Sequence, residues 1–364
     1  MRDRRHIDYM ILIPVFLLTV FGLVMLASAS SDLGKVKFDD ASYYLRHQVF
    51  YGLSVGIAGF LAGFFVPYRH YKKFATILLL LTVIGLILVL TPLGSSSGTI
   101  ADRWLSVGPV TFQPSELLKL TFIMYLAAWL SRARGNRGDN FWEGFVPFLA
   151  VCGVIALLLV LQRSTSSIII TMISALVVYF ASGAKRRYIV YALLLGTLVM
   201  GVLVASSPYR LDRIKTYFDR ERDVQDSSYQ INQALRVIGS GGISGVGYGE
   251  SVAKTYLPER VGDSIFAIIA EEFGFAGSIV LVTVFFFIVM RSYQMARQIG
   301  DRFGRLLLIG FGTVIGVQVF IHIGSNAGLI PLTGVPLPFI SYGGTALAVF
   351  LTMSGIMLNV TRHG

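Results

Sequence analysis

Two groups of ionisable residues stand beside long apolar runs, where a charge is costly and has to be either functional or structurally compensated. The first is Arg103-Trp104 followed by QPSELLK, with Gln113, Glu116 and Lys119. Glu116 and Lys119 are three apart, which on a helix lets them pair on one face, and Pro114 with Ser115 suits a helix start. The spacing fits a capped helix with an ion pair, and it also fits the floor of a polar cavity. The second group is YLPERVGDSIFAIIAEEFG, with Glu259, Asp263, Glu271 and Glu272. Partial desolvation raises a carboxylate's pKa and makes it a useful general base toward a substrate hydroxyl. Asp263, just before an apolar run, stands where such a base would stand, and equally where a helix N-cap would. Glu271 and Glu272 lie two turns deeper, and one of them is expected to pair with a buried base such as Lys119.

Glycine and proline punctuate two further stretches. The run GSGGISGVGYG lacks the Lys-Ser/Thr ending of a phosphate-binding loop and the strand context of a dinucleotide fold. Its glycines are expected to permit turns and close packing. Pro331, Pro336 and Pro338 interrupt the start of the last apolar run, a pattern shared by cavity-lining helix breaks and plain re-entrant turns.

The elements that must hold these residues are membrane helices. The 364-residue chain is 54% hydrophobic and 14% charged, against about 25% charged in soluble domains. Apolar runs occupy about 9–29, 48–66, 74–91, 115–131, 142–161, 166–182, 188–206, 265–290, 305–325 and 337–360. A bilayer crossing takes roughly 17–25 residues. The chain is therefore read as an all-α polytopic membrane protein with ten transmembrane helices, forming one domain over 1–364. The fifth and sixth runs are separated only by Gln162 to Ser167, which predicts a tight hairpin. The first run is too long for a signal-peptide core and is read as a retained helix.

The formal net charge is +11, and its location decides its meaning. Seventeen Lys and Arg fall in segments on the N-terminal side of the membrane, among them Arg2, Arg4, Arg5, Arg69, Arg134, Lys185 and Arg297. Short loops on the other side hold five: Lys35, Lys37, Arg46, Arg103 and Arg163. The positive-inside rule then places both termini in the cytoplasm. It makes the connection at 207–264, between the seventh and eighth helices, a large extracytoplasmic loop with eight basic and eight acidic residues. A connection this long is usually functional or disordered. Balanced charge with Tyr229, Tyr248 and Tyr256 favours an ordered, partly membrane-dipping segment. The positive charge is topogenic, which argues against nucleic-acid binding. The single Cys152 excludes an intramolecular disulfide, and the five scattered histidines show no zinc-ligand spacing.

GTIADRWLSVG with QPSELLK, YQINQALRVIGSGGISGVGYGESVAKTYLPE, DSIFAIIAEEFGFAG, and GLIPLTGVPLPFISYGG with GIMLN span roughly residues 10–360. In this order they resemble the SEDS family of peptidoglycan glycosyltransferases, and GYGESVAKTYLPE is more similar to its division-type branch. The resemblance implies an enzyme of the bacterial inner (cytoplasmic) membrane. It would polymerise lipid II, the undecaprenyl-pyrophosphate disaccharide-peptide, into glycan strands at the outer face, for septal or elongation synthesis. By the same resemblance Asp263 is the catalytic base that deprotonates the acceptor's 4-hydroxyl, and Arg103, Glu116, Lys119, Arg46, Glu259 and Ser341 are substrate-binding residues. It implies no tightly bound cofactor, with a divalent Mg or Mn ion as the one addition. The implied partners are a class B penicillin-binding protein and other divisome or elongasome membrane proteins.

Three departures accompany the resemblance. LQRSTSS replaces the family's Leu-Gln-Pro-Asp-Leu-Gly-Thr, so Ser164 stands where an acidic residue is usual and Arg163 is expected to reach the same cavity. GDSIF replaces Thr-Asp-Phe-Ile-Phe around the retained Asp263. Arg46, in RHQ, is displaced by one residue from the usual Arg-Gln pair. Two rival readings are a transporter of the lipid-linked precursor and an inactive scaffold for the transpeptidase. A transporter would need polar residues along a full transmembrane route, whereas here they concentrate on one side. Retention of Asp263, Arg103, Glu116 and Lys119 argues against the scaffold.

Overall fold

The computed structural model describes residues 7–92, 94–95, 103–107, 110–132, 137–218 and 227–364. Arg2, Arg4, Arg5, Arg134, Arg220, Arg222 and the GTIAD part of the first motif lie outside the described residues.

Helix α1 (Tyr9–Phe38) is followed by α2 (Tyr43–His47) and α3 (Ser54–Phe65), which a wide π turn joins into one rod, and then by α4 (Tyr68–Val89). A small antiparallel sheet follows, β1 (Gly94–Ser95), β2 (Trp104–Val107) and β3 (Val110–Phe112), with Leu105 opposite Phe112. This sheet is the one departure from an all-helical chain among the described residues. Next come α5 (Pro114–Ser131), α6 (Val146–Leu161), α7 (Thr165–Ala181) and α8 (Arg186–Ala205). Two shorter helices, α9 (Pro208–Phe218) and α10 (Ser227–Ser240), lie in the long connection. The chain ends with α11 (Ile265–Gln298), α12 (Arg302–Asn326) and α13 (Gly344–His363).

Among the described residues eight helices are long and apolar enough to cross a membrane, so the protein is a multi-pass membrane protein. The helices of two predicted runs, α5 and α7, are not among the eight. At 17 residues α7 is short, and the first turns of α5 carry Glu116 and Lys119. Burial explains how α5 tolerates them: most of its residues are buried and face neighbouring helices rather than lipid. The most apolar windows of α12 and α13 are 72% and 78% buried, whereas that of α8 is 6% buried. The core is thus built on α5, α12 and α13, with α8 at the periphery.

Small residues let α3 and α13 approach closely, as membrane helices require when burial from water supplies no drive. A Cβ on Gly355 would lie 2.3 Å from the Phe60 carbonyl, and one on Gly63 would lie 2.9 Å from Ile356 N.

Helix α11 is broken at Gly274, whose φ of 67° leaves the helical region. The break frees backbone groups that cannot stay unpaired within a membrane. The glycine run supplies their partners. Val246 N and Gly247 N donate to the carbonyls of Glu271 and Glu272, while Phe275 N and Ala276 N donate to those of Gly242 and Ile243. Gly245, at φ 82°, leaves no room for a side chain, since its Cβ would sit 2.2 Å from the Glu272 carbonyl. The expectation of turns and close packing holds here.

Candidate active site

Loops and helix ends at one end of the bundle surround a cavity of about 1700 Å³. Its apolar wall comes from helix interiors, including Val55, Ile169, Met200, Val317, Phe320 and Val349. Its lining includes the charged residues Arg103, Arg163, Arg210, Glu259 and Asp263 together with His47, Tyr51 and Tyr342. Such a cavity suits an amphiphile with an anionic head.

The basic residues gather around the α6–α7 hairpin, whose bend is confined to residues 162–164. Arg163 takes a left-handed φ of 54° that turns the chain. Arg103 Nη2 donates to the Arg163 carbonyl at 2.6 Å, and its Nε donates to that of Gln162 at 3.4 Å. Arg210, in the first turn of α9, donates to Thr165 Oγ1 at 3.2 Å and to the Leu203 carbonyl at 3.1 Å. Three guanidinium-bearing residues thus share one cavity with two carboxylate-bearing ones.

Asp263 is carried by a tight turn. The amides of Gly262 and Ser264 donate to the Glu259 carbonyl at 3.0 and 3.2 Å, and Glu259 itself adopts φ 48°. Ser264 Oγ donates to the Pro258 carbonyl at 2.9 Å. Helix α11 starts at Ile265 with Ser264 at the cap position, so Asp263 does not serve as the N-cap. The segment that the prolines keep out of helix, residues 327–343, packs on this turn, and Tyr342 N donates to the Val261 carbonyl at 2.9 Å.

The family described as cell cycle protein, FTSW_RODA_SPOVE, matches residues 8–364. The chain belongs to the FtsW/RodA/SpoVE family. It is 36% identical to a probable peptidoglycan glycosyltransferase FtsW of Nitrosomonas europaea, covering 98% of this chain and 92% of that protein. It is also 36% identical to the stage V sporulation protein E of Bacillus subtilis, covering 98% and 97%. Among solved structures, a chain of a peptidoglycan synthase complex, in which polymerization and crosslinking are coordinated, is similar at a TM-score of 0.81. The two are 26% identical over 98% of both chains. Rod shape determining protein RodA of Thermus thermophilus is similar at 0.70, with 26% identity over 98% of this chain and 97% of that one.

Within this family fold, the residues singled out from sequence divide into those that reach the cavity and those that do not. Arg103, Glu259 and Asp263 line it, and so does Arg163 of the divergent LQRSTSS segment. Ser164 is buried and donates to Ser167 Oγ at 2.7 Å. Arg46 is not part of the lining; its side chain is 67% exposed and pairs with Asp40 at 3.3 Å. Glu116 and Lys119 form a buried ion pair at 2.7 Å that also stays off the lining. Ser341 is buried behind the site, its hydroxyl accepting from Leu337 N and donating to the Gly262 carbonyl, both at 2.7 Å.

One expectation is overturned. Neither Glu271 nor Glu272 pairs with Lys119. Glu271 accepts from Ser240 and Ser251, and Glu272 accepts from Ser28. The break at Gly274 ties this part of α11 to α1 and to the glycine run instead. Sequence reasoning also passed over Arg210 and His47 as lining residues. Arg210 is one of eight basic residues in a charge-balanced loop with no pattern to single it out. His47 follows Arg46, and the shape of the helix end, which the sequence does not display, turns it rather than Arg46 to the cavity.

Proposed function

We propose that this protein is a peptidoglycan glycosyltransferase that polymerises lipid II into glycan strands for septal or elongation cell-wall synthesis. The observation that carries this reading is one cavity holding the carboxylates of Asp263 and Glu259, the guanidinium groups of Arg103, Arg163 and Arg210, and an apolar wall. Its similarity to FtsW proteins named as peptidoglycan glycosyltransferases supports the same conclusion. Asp263 takes the proton from the acceptor sugar's 4-hydroxyl as that oxygen bonds to the donor's anomeric carbon. The bond from that carbon to the lipid pyrophosphate breaks, the configuration inverts, and the bonding electrons leave on the pyrophosphate. The arginines stabilise the charge that develops there, and the apolar wall accommodates the adjoining part of the prenyl chain.

Glu259 and Asp263 are the carboxylates available to an Mg²⁺ or Mn²⁺ ion, a pairing that fits the usual mode of one or two carboxylates plus substrate phosphates. Such an ion would neutralise the leaving group, and no step above depends on it. Among the described residues no cluster of three or more metal-ligating side chains occurs, so the substrate's phosphates would complete the ion's coordination.

The reading includes ten crossings of the inner membrane, both termini in the cytoplasm, and the cavity and the 207–264 connection on the outer side. It includes a class B penicillin-binding protein as the crosslinking partner, in line with a structural neighbour drawn from a synthase complex, together with other divisome or elongasome membrane proteins. The test is glycan-strand synthesis from purified lipid II by the reconstituted protein with its transpeptidase. Wild type is expected to give polymer and Asp263→Asn none; equal polymer from both removes Asp263 from the mechanism.

A further inference from the structure

The turn that carries Asp263 is held from outside at three successive carbonyls. Tyr342 N donates to Val261 O at 2.9 Å, Ser341 Oγ to Gly262 O at 2.7 Å, and Asn326 Nδ2 to Asp263 O at 2.8 Å. Asn326 belongs to a polar ladder on α12. Gln318, His322 and Asn326 are four residues apart, hence on one helix face, and each is at most 1% exposed. Gln318 Nε2 donates to the Pro336 carbonyl at 2.8 Å. His322 Nδ1 lies 2.7 Å from the Val335 carbonyl, which only accepts, so this nitrogen carries the ring proton. One helix face therefore sets the register of the proline-rich segment and of the Asp263 main chain together.

Gly334 directly precedes the segment gripped by that ladder. A Cβ there would meet Asp263 Oδ2 at 3.0 Å and Asp263 Cγ at 3.8 Å, and beyond its chain neighbours no other heavy atom of the described residues within 4 Å. Its φ is not among the left-handed ones, so the backbone accepts alanine. The room left by the missing side chain is room for one carboxylate.

The geometry points to Asn326 and Gly334 as positioning residues of the general base, Asn326 fixing its main chain and Gly334 leaving Oδ2 the space to face the acceptor hydroxyl. This rests on the reading of Asp263 as the base. A base acts only within hydrogen-bond reach of its proton, and a misplacement of about 1 Å can cost on the order of 10²-fold in rate.

The test is steady-state lipid II polymerisation by the full-length reconstituted protein with its transpeptidase, comparing kcat and KM of wild type, Gly334→Ala, Asn326→Ala and Asp263→Asn. The thermal midpoint of each is measured alongside. Gly334→Ala is expected to lower kcat by roughly 10- to 100-fold while KM and the thermal midpoint stay at wild-type values. Asn326→Ala should lower kcat in the same sense. If Gly334→Ala keeps kcat within about twofold of wild type while Asp263→Asn is inactive, the positioning role is overturned and the base survives. A kcat loss in Gly334→Ala that follows a fallen thermal midpoint also overturns it. Wild-type polymer from Asp263→Asn removes the base itself.

Discussion

Lys119 and Asp263 show how differently two ionisable residues can be used within one fold. Lys119 is fully buried, held by Glu116 at 2.7 Å and by Gln318 Oε1 at 2.5 Å, with the Phe350 ring centroid 5.8 Å away. Its charge is matched by Glu116 and lies off the cavity lining. Lys119→Met would leave the Glu116 carboxylate buried without its cation, which typically costs about 3–5 kcal/mol. The thermal midpoint of the purified protein should fall accordingly, and the double substitution Glu116→Gln with Lys119→Met should recover most of the loss. Recovery of nothing would mean that the pair contributes more than mutual compensation. Asp263 by contrast is only half-buried and lines the cavity. The i, i+3 pairing of Glu116 and Lys119 was legible in their spacing. That it lies off the cavity was not, because spacing fixes which face two residues share and not what packs against it.

At the scale of elements, the interrupted helix α11 and the glycine run are one construction. The break at Gly274 exposes peptide groups, and the run between Gly241 and Gly247 pairs them. Gly274→Ala would force alanine into a positive-φ extended conformation that is essentially glycine-only, at about 1–3 kcal/mol, and would bring its Cβ to 2.3 Å from Gly245 N. The loop should then detach from α11, and limited proteolysis should cut within residues 239–249 faster than in wild type. Unchanged cleavage would show that the two segments hold without close contact. The sequence displayed the glycines, but their partner lies some thirty residues away in an apolar stretch that reads as plain helix. The same limit applies to the α6–α7 hairpin. Its tightness was evident from the short polar patch, whereas the placement of Arg163, Arg103 and Arg210 around its bend depends on three segments far apart in the chain meeting.

For the whole molecule, the reading of ten crossings makes a plain forecast. A reporter active only in the cytoplasm should work when fused after Gly364. One active only outside should work when inserted in residues 207–264, and should fail after Gly364. The reverse pattern would invert the protein and put the cavity on the wrong face for lipid II. Sequence alone determined the membrane class, the helical segments and Asp263 as the candidate base, because apolar length, charge bias and short motifs are properties of contiguous residues. It also marked Arg103 and Glu259, which the cavity keeps. Only the tertiary structure decided that Arg210 and His47 join the site, that Arg46, Glu116, Lys119 and Ser341 stand outside its lining, and that Glu271 and Glu272 serve the fold. Those outcomes depend on which helix faces meet, and that is settled by packing among segments far apart in the chain.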